Sequence, residues 1–168
     1  MMDADHKMSR RLRRRGQTLV EFALVLPVLT LMLFGVVDLG RGIYGFNAIS
    51  NAAREGGRTA IVNQDLADIR TRAAAQATAL GIPSTAPSSC VGGVPTDPSG
   101  VCVGFYLPDL STDCSATLAP GCVAVVTVKY TFTALTPIIG NLIGPLPMTS
   151  TTKQVIESVC TVSGCPIP

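Results

Sequence analysis

The chain has 168 residues, of which 47% are hydrophobic and only 14% charged, with no tryptophan. That length leaves room for one modest domain and an anchor, and the apolarity exceeds what a water-soluble domain of this size needs, so part of it belongs in lipid or in an interface. The formal net charge of +2 is uneven: Lys7, Arg10, Arg11, Arg13, Arg14 and Arg15 face only Asp3 and Asp5 within the first sixteen residues, a local balance of +4 that leaves the rest at −2. A nucleic-acid-binding domain, which needs a basic face on its folded part, is thereby disfavoured.

After the basic leader, residues 1–16, comes an apolar run from Leu19 to Val37 in which Glu21 is the one charged residue. Nineteen residues at a rise of about 1.5 Å each span about 28 Å, close to the hydrocarbon thickness of a bilayer. A cleavable secretory signal has a shorter apolar core followed by a small-residue cleavage site, and Asp38-Leu39-Gly40-Arg41 does not supply one. The basic flank is expected to stay cytoplasmic, which places the chain beyond Val37 outside the cytoplasm. This predicts a single-pass protein of the cell membrane, and Pro27 is compatible with a membrane helix.

Glu21 is the costly residue in this run, because a carboxylate in a spanning helix calls for a partner or for access to water. The stretch Gly16-Gln17-Thr18-Leu19-Val20-Glu21-Phe22 resembles the processing site of type IV prepilin-like proteins, and its Glu-Phe pair resembles the pseudopilin variant. The resemblance implies cleavage between Gly16 and Gln17 by a prepilin peptidase. It also implies that Glu21 meets the new α-amino group of a neighbouring subunit, with Phe22 and Pro27 belonging to the same assembly helix.

Residues 16–60 as a whole are similar to the short domain of TadE-like proteins of the tight-adherence pilus apparatus. The matching positions are the Glu21-Phe22 pair, Pro27, Asp38, Arg41 and the segment Asn51-Ala52-Ala53-Arg54-Glu55-Gly56. The family implies a non-catalytic pseudopilin or assembly factor of a Flp-type IVb pilus. Its partners would be the lipid bilayer, the prepilin peptidase, other pilin or TadE-like subunits and the membrane assembly platform. The competing expectation is a signal-anchored external binding domain that enters no pilus.

Beyond Val37 the apolar spacing predicts that the helix continues to about Gly56, where the Gly56-Gly57 pair ends or bends it. Asp38 and Arg41, three residues apart, would share a helical face as a surface ion pair or as an interfacial anchor. Gly42, Gly45, Ala48, Ala52 and Gly56 form a stripe of small residues suited to close backbone approach, within the chain or between subunits. Residues 61–82 predict a second helix, capped by Asn63 or Asp65 and stopped at Gly81, with Leu66, Ile69, Ala73, Ala77 and Leu80 on its apolar face.

Residues 83–168 form a cysteine-rich region expected outside the cytoplasm. Residues 83–121 are turn-rich with a short strand at 101–107. Strands are expected at 122–135 and 148–159, joined by an apolar loop. All six cysteines, Cys90, Cys102, Cys114, Cys122, Cys160 and Cys165, lie here, which suggests disulfides in an oxidising compartment. An antiparallel pairing centred near Asn141 would set Cys122 opposite Cys160, with Cys114–Cys122 and Cys160–Cys165 as competing bridges. No cysteine pair has metal-knuckle or redox spacing, and the only histidine, His6, lies in the leader. No catalytic residue, metal or cofactor is expected. The fold class expected is α+β: a long N-terminal transmembrane helix, a short second helix and a small disulfide-stapled antiparallel β unit.

Overall fold

The structure, a computed structural model, describes residues 3–160, with side chains described from Gln17 onward except at 137–139. Helix α1 runs unbroken over Asp3–Val62 and α2 over Leu66–Ala75, followed by a single 3₁₀ turn at Thr78–Leu80. A small hairpin joins β1, Cys90–Val91, to β2, Val94–Pro95. The main sheet contains β3 (Gly100–Tyr106), β4 (Val123–Phe132) and β5 (Leu146–Val155), antiparallel in the order β3-β4-β5, and a short helix α3, Pro137–Ile143, links the last two strands. The α+β class is therefore as expected from the sequence.

The second half of α1 and all of α2 pack on one face of this sheet. Ile49, Ala52, Ala53 and Ala60 of α1 and Ile69 and Ala73 of α2 are fully buried against Val101, Ala124, Val126 and Val128. Alanines and glycines on α1 let the helix axis come close to the strands. A Cβ on Gly56 would lie 2.9 Å from Val126 Cγ1 and 3.1 Å from Ala73 Cβ, and one on Gly57 would lie 2.8 Å from Thr152 Cγ2. The glycine pair, expected from its composition to end or bend the helix, lies inside it, with α1 running on to Val62. It is the point where helix, α2 and sheet meet, and packing outweighs the roughly 1 kcal/mol helix penalty of each glycine.

The stripe of small residues serves the chain itself from Gly45 onward. Gly45 sits beside Met148 and Tyr130, and Ala48, Ala52 and Gly56 are buried in the core. In α2, Asp65 is the cap, its Oδ1 accepting from the amides of Ala67 and Asp68. Helix geometry ends at Ala75, earlier than predicted, and Gly81 closes the following 3₁₀ turn in the left-handed region. Leu66, expected on the buried face, is exposed because it opens the helix at the rim.

The hairpin joining β4 and β5 is centred two residues earlier than the sequence suggests. Val123 pairs with Val155 and Phe132 with Leu146. Cys122 consequently faces Ile156, whose amide donates to the Cys122 carbonyl at 2.8 Å, and not Cys160. The reason is the connection: the apolar stretch expected to be a loop forms α3, with Thr136 as N-cap and proline at its first turn.

Candidate functional site

The first part of α1 stands free of the fold. Among the described residues it is the one helix long and apolar enough to cross a membrane, and none of its most apolar window is buried within the protein. Leu19, Phe22, Leu24, Val28 and Met32 all point to the surroundings. A helix so apolar on every side lacks the polar face that a water-exposed helix carries. Gly16 lies within α1. One turn on, Gln17 Nε2 donates to Glu21 Oε1 at 3.3 Å on the exposed helix surface. Glu21, Phe22 and Pro27 are exposed and stand outside the sheet's core.

Among the described residues of α1, the first that is buried is Asp38, immediately after the apolar run. Its side chain is buried, and its oxygens accept hydrogen bonds from the Leu135 amide at 2.9 Å, the Thr136 amide at 3.1 Å and Thr136 Oγ1 at 2.7 Å. Arg41 Nη1 is a fourth, longer donor at 3.4 Å. Four donors surround one carboxylate, so the site is built for the ionised form. The Arg41 guanidinium lies 5.7 Å from the centre of the Phe132 ring, within cation–π range. Asp38 and Arg41 do form their helical pair. The larger part of the Asp38 interaction, though, is a clamp on the segment leading into α3, almost a hundred residues away in sequence.

The segment Asn51-Ala52-Ala53-Arg54-Glu55-Gly56 divides by face. Ala52, Ala53 and Gly56 are buried against the sheet, Asn51 and Arg54 face outward, and Glu55 is half-buried. Thr59 Oγ1 donates to the Glu55 carbonyl at 3.1 Å. At the end of α1 a polar hub replaces apolar packing. Gln64 donates to the carbonyls of Ala60 and Ser158 and accepts from the Cys160 amide at 2.7 Å, and Asn63 Nδ2 donates to Asp68 at 2.9 Å. Asn63 and Gln64 are buried, and these partners meet the requirement that buried amides be hydrogen-bonded. Thr136, Gln64 and the tail at Ser158–Cys160 were not legible as contacts from the sequence, because no local spacing links them to α1.

Disulfides join Cys90 to Cys102 and Cys114 to Cys122, with Cα atoms 6.1 Å and 6.6 Å apart. Cys160 is disulfide-bonded as well, and Cys165 lies outside the described residues. The first bridge fastens the β1–β2 hairpin to β3, and the second closes the excursion that precedes β4. Gly92 and Gly93, with φ of +57° and +76°, make the tight turn of that hairpin. Lys129 Nζ donates to the Pro95 carbonyl at 2.9 Å, holding the hairpin on the sheet face opposite α1.

The scattered aspartates each serve a local turn. Asp97 accepts from the Ser88 amide at 2.7 Å, which holds its carboxyl below the ordinary range. The Ser111 hydroxyl and amide do the same for Asp109, and Ser115 does so for Asp113. No group of three or more metal-ligating side chains gathers among the described residues.

The architecture defines a class: a disulfide-bonded α+β head carried on one long helix whose free part is fit to cross a bilayer. Residues 16–58 match the family model for TadE-like protein. The N-terminal segment of this chain is thus similar to the TadE-like family over those residues, and the match does not extend into the disulfide-bonded head. Neither a curated protein nor a solved structure matches the chain.

Proposed function

We propose that this protein is a membrane-anchored, non-catalytic TadE-like pseudopilin or assembly factor in the biogenesis of a tight-adherence, Flp-type pilus. The observation that carries the proposal is the family match, which starts at Gly16, the last residue of the basic leader. In this reading a prepilin peptidase cuts between Gly16 and Gln17. The Gln17 α-amino group, with an ordinary pKa of about 7.7–8.0, is then largely cationic at neutral pH. It pairs with Glu21 of a neighbouring subunit, so that the carboxylate enters the apolar layer only when neutralised.

The exposed apolar surface of α1 supports this reading, since it leaves the helix available to lipid and to other subunits. Cystine bridges support an oxidising location for the head, with the basic leader on the cytoplasmic side.

The test is the intact mass and N-terminal sequence of the membrane-extracted protein from cells with and without the prepilin peptidase. A start at Gln17 that depends on the peptidase is expected. A chain that keeps its leader in both strains would replace the pseudopilin with a signal-anchored external domain.

A further inference from the structure

A second apolar surface lies beside the free part of α1. On α3, Leu142 is 85% and Ile143 63% exposed, and Leu135 and Leu146 flank them in the open. The chain carries no Asp, Glu, Lys or Arg from Tyr130 to Thr152. An apolar groove of about 500 Å³ separates α1 from the end of α3, walled by Leu39, Ile43 and Phe46 on one side and Ile143 and Leu146 on the other. An exposed apolar patch of this kind marks an interaction surface.

Three contacts fix its height along α1. Thr152 of β5 lies against Gly57, Met148 lies against Gly45, and Thr136 at the start of α3 is held by Asp38. Passing from β5 back into α3, the chain therefore descends α1 toward the apolar run and reaches the level where that run ends. A bilayer core of about 30 Å takes about 20 helical residues, which Leu19–Val37 nearly fills. The boundary of the lipid thus falls beside α3. The exposed apolar surface of α1 continues past this boundary through Leu39, Ile43 and Phe46, so the groove is continuous with the lipid-facing part of the helix. Arg41, on the Phe132 wall of the groove, stands where a phospholipid headgroup would be met.

We propose that α3 and the adjoining groove are a second membrane contact: α3 lies in the interfacial layer of the leaflet where the α1 span ends, and the groove takes a phospholipid acyl chain. The proposal rests on the reading that α1 spans the bilayer. Two contacts, one through the span and one through α3, fix the tilt and rotation of the head on the membrane, which a single helix cannot do.

The chain has no tryptophan, so single tryptophans report their own surroundings. Three variants of the full chain, Leu142→Trp, Leu29→Trp and Val91→Trp, are reconstituted into phosphatidylcholine and phosphatidylglycerol vesicles with and without acyl chains brominated near the headgroup or near the methyl end. All three positions are exposed and tolerate the larger ring. Leu142→Trp is expected to lose most of its emission to the shallow bromines and Leu29→Trp to the deep ones, with Val91→Trp, on the β1–β2 hairpin across the sheet from α1, unchanged. Unquenched Leu142→Trp beside quenched Leu29→Trp overturns the second contact and leaves the span standing; emission that then varies with protein density would assign the patch to a second copy of the chain. Unquenched Leu29→Trp removes the span and this proposal with it.

Discussion

Asp38 holds two main-chain amides and a hydroxyl of a segment far along the chain, and its worth lies in what its removal leaves unpaired. Asp38→Asn keeps the shape but turns one acceptor into a donor facing N–H groups, so Leu135 or Thr136 loses its partner. Amide exchange at Leu135 and Thr136 is expected to accelerate roughly tenfold or more, while Val126 and Val128 keep their protection. Unchanged exchange at residues 135 and 136 would show that α3 is held by other means. Gly56 tests the opposite physics, overpacking. A methyl group there meets Val126 and Ala73, both buried and unable to move far. Gly56→Ala is expected to lose up to about 2 kcal/mol, the overpacking cost of about 1–3 kcal/mol less the helix gain of about 1 kcal/mol. Gly40→Ala, with open space around its Cβ, is expected to be neutral or to gain up to about 1 kcal/mol. Thermal unfolding of both variants in the same detergent checks the difference.

At the scale of elements, α1, α2 and β4 were legible because each carries its own periodicity, and the joints between them were not. Gly56-Gly57 illustrates the limit. Glycines end helices when nothing packs on them, and only the tertiary structure reveals that a sheet does. The β4–β5 register illustrates another. Moving the hairpin centre from 141 to 139 slides one strand by four residues, an even number that leaves each side chain on its face. The burial pattern therefore accommodates both registers, and the side-chain bond between Thr127 and Thr151 fits only one. α3 was hidden because its seven residues are too few to display a helical period. The β1–β2 hairpin carries a pH dependence of its own. The Ser88 amide lowers the carboxyl pKa of Asp97 in the folded state below its ordinary 3.8. The stabilisation it provides is therefore complete above that ordinary value and is lost as pH falls through the lower, folded value. Exchange protection of the Ser88 amide is expected to be constant from neutral pH down to the ordinary carboxylate range and to collapse below it; a loss beginning near pH 6 would exclude Asp97 as the cause.

For the whole molecule, the fold divides a single helix between an exposed apolar segment and a segment packed on the sheet. From Asp38 onward one face of α1 is the spine of the head and packs on the sheet, whereas the surface from Gln17 to Val37 stays outside the buried core. Glu21 sits in that exposed part, four residues from Gln17 and facing outward. Nothing in the head's core touches it, so its replacement has no route to the stability of the head. Glu21→Ala removes a charge that opposes insertion by very roughly 2–3 kcal/mol at a helix centre and by less near an end, so insertion should be unimpaired. If the carboxylate pairs with a neighbouring subunit's terminal amine, the same substitution leaves that cation without its counter-charge in the apolar layer, and association should fail. The expected outcome is a variant recovered in membranes at normal amount, with its disulfides formed, that no longer co-purifies with the pilus machinery and does not support piliation. Glu21→Gln, which keeps the size and hydrogen-bonding capacity but not the charge, separates the two contributions: failure comparable to that of the alanine variant assigns the role to charge pairing, whereas normal co-purification and piliation in both variants would leave Glu21 as a residue at the membrane edge with no part in assembly.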